Sequence, residues 1–147
     1  MEKEEIRQAI SDYLRSHRKM TLATVTLDGR PIAHTIEYAS DGATVYFGTL
    51  RTSRKAQNII KNCRVSYAVD EDYEDWMKIQ GVQIEGKAEV LADPKDIKYA
   101  MDLFTRKFPF VADFPPNPDM VLVRIEPLAG FFLDYTKGFA HRDEVRF

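Results

Sequence analysis

The densest chemistry in this chain lies at one junction, where Thr49, Arg51, Thr52, Ser53, Arg54 and Lys55 gather three hydroxyls and three cations with no acid among them. An alternating run containing Val45 and Phe47 precedes the junction. A helical pattern opens after it, at Lys55, Ala56, Ile59 and Ile60. A helix start offers unpaired backbone N–H groups and the positive end of the helix dipole. Hydroxyl donors and cations added there make a cradle for a dianion such as a phosphomonoester. The plainer alternative is that Thr52 or Ser53 only caps the helix while the cations sit in water. The density of donors favours the anion site.

Little else in the chain has the spacing that chemistry requires. His17, His34 and His141 lie far apart and make no zinc-type pattern. Cys63 is the only cysteine, which excludes an intrachain disulfide and a cysteine metal cluster. Following an apolar helix face, it is expected as buried filler. The acidic stretch DEDYEDW at 70–76 lacks calcium-loop spacing and reads as a solvated connection. No nucleophile elbow, P-loop or dinucleotide fingerprint occurs. A phosphate cradle without a catalytic set points to a cofactor for the hard chemistry.

The elements that must position the cradle follow from periodicity. Ile6, Ile10, Tyr13 and Leu14 mark an amphipathic helix over 3–16. Strands are expected at 20–27, 32–39 and 43–49, joined by Asp28-Gly29 and Asp41-Gly42 turns into a three-strand meander. A short helix over 53–62 leads to a strand at 64–69 and a long strand at 79–91, with Gly81 and Gly86 as bend points. Asp93-Pro94 starts a helix to about Lys107. After a proline-rich loop come strands at 120–126 and 130–136. The expectation is a mainly β, α+β fold: six or seven antiparallel strands closing into a barrel, with about three flanking helices.

All 147 residues are expected to form one domain. Hydrophobic content of 44% and aromatic content of 12% suit a folded globule. The net charge of −2 argues against a nucleic-acid binder, which usually carries a basic excess. There is no signal-like N-terminus and no apolar run of about 20 residues, so the expected setting is the cytoplasm, away from membranes.

The order of these motifs resembles one known family. A helix, a DGRP hairpin, a DG turn, T-x-R-T-S-R-K-x-x-N-I and then V-Q-I-E-G-K-A-E-V-L is similar to the FMN-binding split β-barrel family, which includes the pyridoxamine 5′-phosphate oxidase-like proteins. The resemblance covers roughly residues 10–136. It implies that FMN is the cofactor, with its phosphate at Ser53, Arg54 and Lys55. It places His34, Thr35, Ile36 and Glu37 toward the flavin ring and Phe47, Gly48 and Thr49 alongside. Gln83, with Lys87, would add polar contacts.

The resemblance also implies a homodimer with the cofactor at the interface. Phe131, Phe132, Tyr135 and Phe139 offer aromatic surface for it. The tail, with Lys137, His141 and Arg142, either reaches over the flavin or ends as solvated charge. It differs from the arginine-, histidine- and proline-containing ending of true pyridoxamine phosphate oxidases, which argues against that substrate. The expected function is an FMN-dependent oxidoreductase moving hydride or electrons between a reduced nucleotide or small molecule and the flavin. The alternative is a non-catalytic flavin-, haem- or deazaflavin-binding protein of the same fold.

Overall fold

The computed structural model describes residues 1–147, which form three α-helices and eight strands in one antiparallel sheet. The helices are α1 (Lys3–Ser16), α2 (Arg54–Lys61) and α3 (Pro94–Lys107). The strands are β1 (Lys19–Val25), β2 (Pro31–Glu37), β3 (Ala39–Asp41), β4 (Thr44–Leu50), β5 (Arg64–Val69), β6 (Gln80–Val90), β7 (Met120–Asp134) and β8 (Arg142–Arg146). No helix is long and apolar enough to cross a membrane.

Two of the three helices start at a side-chain cap that the sequence signals. The Asp93 carboxylate accepts from the Lys95 backbone N–H ahead of α3, with Pro94 at the first helical position. Ser53 Oγ accepts from the Ala56 N–H ahead of α2. Helix α1 buries Ile6, Ile10, Tyr13 and Leu14 on one stripe.

The strand order is β2-β1-β5-β6-β7-β4-β3, with β8 beside β7. The two ends of that path, β2 and β3, are consecutive in the chain and separated only by Tyr38. The sheet therefore curls until its edges meet at one fully buried residue. The Tyr38 N–H donates to Arg18 O and its hydroxyl donates to Leu14 O at 2.7 Å, tying that corner to the end of α1. Leu14, Met20, Leu22, Val45, Phe47, Ile84, Val123 and Ile125 fill the interior.

Three expectations are corrected. The run over 32–39 is not the middle strand of a meander: β2 pairs β1, while β3 and β4 pair at the opposite end of the sheet. The strands expected at 120–126 and 130–136 are one strand, β7. The proline between them sits at a bulge, where Leu128 is skipped between the pairs Gly86↔Pro127 and Glu85↔Ala129. The tail is not free charge either, since β8 pairs β7 from Ala129↔Arg146 to Leu133↔Arg142 and inserts Val145 into the core. These changes raise the strand count to eight.

Candidate anion site at the start of α2

Strand β4 ends at Leu50, and a tight turn places Ser53 as the N-cap of α2, with the Ser53 N–H on Leu50 O at 2.9 Å. Thr49 is buried, and its hydroxyl donates to Ser53 Oγ at 2.9 Å. Ser53 Oγ also accepts from Ala56 N at 3.2 Å, so both contacts use it as an acceptor and its own proton stays available. The backbone N–H groups of Arg54 and Lys55, in the first helical turn, find no partner within the helix. Arg54 is exposed and Lys55 half-buried. The cap reading and the anion reading are thus compatible, because one serine performs the cap and keeps a donor.

A second strand feeds the same place. On β1, Met20, Leu22 and Thr24 face the interior, and their cross-strand partners on β2 are Ile36, His34 and Ile32. Cross-strand partners share a face, so His34 faces inward, where its Nε2 lies 2.9 Å from Thr24 Oγ1. From α2, Asn58 Nδ2 donates to the same Thr24 Oγ1 at 3.0 Å. Burial holds the His34 imidazole below its ordinary pKa, and the nearby Lys55 and Arg54 charges push it the same way. Strand β2 thereby delivers an imidazole to the cationic start of α2.

The residues singled out from sequence do not all converge. Thr49, Ser53, Arg54, Lys55 and His34 meet at this junction. Thr35 and Glu37 are exposed on the opposite face of β2, because strand side chains alternate. Ile36 shares His34's face one step further toward Met20. Phe47 is wholly enclosed in the core, leaving only its backbone for a ligand. Gly48 packs beside Met120 and Leu122 of β7.

Gln83 lies on the outer face of the sheet, in a groove of about 390 Å³ lined also by Thr21, Ala23, Ser66, Ala68 and Phe131. Register sets Thr35, Thr21, Ala68, Gln83 and Phe131 in one row across five strands.

Cys63 is exposed, correcting its expected burial, because it falls beyond the end of α2. Thr24 and Asn58 were missed. Their signal was a polar residue at an inward strand position and another on the buried face of a helix.

The remaining histidines are engaged elsewhere. His17 contacts Tyr13 O through Nδ1 at 2.8 Å and Glu71 through Nε2 at 3.0 Å, fastening the acidic loop to α1. His141 Nε2 lies 3.2 Å from Asp143. Phe132 is buried, whereas Phe139 is exposed and stacks on the exposed Trp76.

A curled antiparallel sheet whose edges meet at Tyr38, with a short helix inserted after β4, defines a split-barrel architecture. The match to the pyridoxamine 5′-phosphate oxidase family spans residues 6–134, and the chain belongs to that family. It is 30% identical over 129 residues to general stress protein 26 of Bacillus subtilis, covering 86% of this chain and 87% of that protein. A conserved hypothetical protein of Mycobacterium tuberculosis has a similar structure, with a TM-score of 0.77 and 27% identity over 93% of this chain and 87% of that one. The haem storage protein HutZ of Vibrio cholerae shares the fold, with a TM-score of 0.71 and 19% identity over 86% of this chain and 91% of that one.

Proposed function

We propose that this protein binds FMN as a homodimer and works as an oxidoreductase, passing hydride or electrons between a reduced nucleotide or small molecule and the flavin. The observation that carries the reading is the convergence of Ser53, Arg54, Lys55 and His34 at the start of α2, on a fold whose family includes flavin enzymes. The donor set fits a phosphate monoester: one free hydroxyl proton, two unspent backbone N–H groups, an imidazole and two cations. Ser53, Arg54 and Lys55 would hold the phosphate. The flavin, when bound, supplies the redox chemistry, and the protein binds and orients.

The outer row from Thr35 to Phe131 supports the dimer. Five strands about 4.8 Å apart make a platform of roughly 19 Å, covered mostly by short side chains on which a second copy can seat. A soluble cytoplasmic setting completes the proposal.

The visible absorption spectrum of the purified protein is the direct test. Oxidised-flavin bands that bleach with NAD(P)H, together with FMN bound in preference to riboflavin, support the reading. A colourless protein that takes up no added FMN overturns it. Flavin colour without turnover marks the non-catalytic alternative. A Soret band marks the haem alternative, for which His141 is the ligand to substitute.

A further inference from the structure

Thr24, Asn58 and His34 form a chain of buried polar groups whose protons can be counted. Thr24 is fully buried and Asn58 nearly so. The Asn58 amide nitrogen is a donor only, so it occupies one lone pair of Thr24 Oγ1 at 3.0 Å. The Thr24 hydroxyl then has one proton to place, and the acceptor within reach is His34 Nε2 at 2.9 Å. With the Asn58 amide so oriented, Nε2 is the unprotonated ring nitrogen. The opposite arrangement, with Nε2–H donating to Thr24, strands a hydroxyl proton where no water reaches.

We infer that Thr24 and Asn58 are positioning residues that hold His34 as a neutral imidazole with its proton on Nδ1, so that β2 offers the anion cradle a hydrogen-bond donor and not a third cation. His34 Nδ1 has no hydrogen-bond partner within the chain, which leaves that proton for a ligand. Burial reinforces the neutral form, and the nearby Lys55 and Arg54 charges add to it. Specificity follows: the charge of the site is carried by α2, and the strand adds direction. A second lever is Asn58 itself, since α2 supplies both the cations and the amide that orients Thr24.

The inference rests on the anion-site reading only for the identity of the ligand, so the test begins without one. Long-range proton–nitrogen NMR of the histidine rings distinguishes a pyrrole-like from a pyridine-like nitrogen, and a His34→Asn variant assigns the signals. In the ligand-free protein His34 should show a pyrrole-like Nδ1 and a pyridine-like Nε2, and should stay neutral below the ordinary histidine value of about 6.5. Thr24→Val should release the ring to the other tautomer or to ordinary titration, whereas Thr24→Ser should restore the native spectrum.

A proton on Nε2 in the native protein, ordinary titration, or a Thr24→Val spectrum identical to the native one overturns the inference. If Thr24→Val fails to fold, the native spectrum alone decides. With FMN added, Thr24→Val should bind about tenfold more weakly, as expected when one oriented hydrogen bond is removed. The expected native spectrum in a protein that binds no FMN upholds the relay and overturns the cofactor reading instead.

Discussion

Lys107 Nζ lies 4.1 Å from the centre of the Tyr38 ring, joining α3 to the single residue on which the sheet turns from β2 into β3. The same ammonium donates to the carbonyls of Leu14 and His17, at the C-terminal end of α1 where the helix leaves acceptors unpaired. One cation thus fastens two helices to the closing corner of the sheet. Burial pulls its pKa down to about 8, with Arg18 adding to the effect.

That shift has a definite sign in stability. The folded protein gives up this proton near pH 8 and the unfolded chain near 10.5, so between those values the unfolded state binds more protons. Native stability therefore gains from this group as pH rises through that window. Chemical denaturation across it should show a steeper rise for the native protein than for Lys107→Met, which cannot contribute. Equal slopes would place the Lys107 ammonium in water.

Tyr38→Phe tests the corner from the other side. The substitution keeps the ring and the cation–π contact but removes the hydroxyl that bonds Leu14 O. Because Lys107 still reaches that carbonyl at 3.3 Å, the expected cost is about 1 kcal/mol, near the average for one hydrogen bond. A fall in the melting temperature of a few degrees checks it.

Paired substitution of the cations at the start of α2 tests the proposed anion site. Arg54→Ala with Lys55→Ala should weaken FMN binding by about 1.5–3 kcal/mol for each charge-assisted hydrogen bond removed. Riboflavin, which lacks the phosphate, should be affected far less. Arg54 is exposed and Lys55 half-buried, and neither fills the core, so the melting temperature should hold. Unchanged FMN affinity would move the phosphate elsewhere in the protein.

Gly130 shows how tightly β6 and β7 approach. A Cβ there would stand 2.4 Å from Ile84 Cδ1 and 2.8 Å from Gln83 O, and the second contact is backbone that cannot step aside. Gly130→Ala should cost about 1–3 kcal/mol, as overpacking does. At Gly48 the nearest atom to an added Cβ is 3.4 Å away and belongs to the flexible Met120 side chain. Gly48→Ala should be much the milder change, and a pair of denaturant melts compares them.

Much of this was legible because local rules and the fold agree. The caps at Ser53 and Asp93 name their own helices, and Gly86 lies where the register slips. Three features were not legible, each for a physical reason. Tyr38 continues the alternation of β2, so nothing local signals that the chain changes partners there. The Pro127 break reads as a strand end, because sequence does not show that Leu128 can be skipped while pairing resumes. Arg142–Arg146 looks like solvated charge because a single inward residue, Val145, anchors it. At the site, the cations of α2 were plain, whereas His34 gains its meaning from Thr24 and Asn58, which stand on other elements and are distant in the chain.

The outer face of the sheet yields the last prediction. Ala68 sits in the middle of the row, between Thr21 of β1 and Gln83 of β6, and is half-exposed in the single chain. An arginine there meets no obstruction in a monomer and should leave the melting temperature of the isolated chain nearly unchanged. In a homodimer seated on this face the guanidinium would be desolvated without a partner, which costs several kcal/mol. Ala68→Arg should therefore raise the dimer dissociation constant by at least about a hundredfold, read by sedimentation or light scattering at several concentrations. Leu27→Arg, in the exposed turn after β1, serves as the control that adds the same charge elsewhere. If FMN lies between the subunits, its affinity should fall together with the dimer in Ala68→Arg and hold in Leu27→Arg. A dimer that survives Ala68→Arg would assign the interface to another face, and a monomeric native protein would remove it altogether.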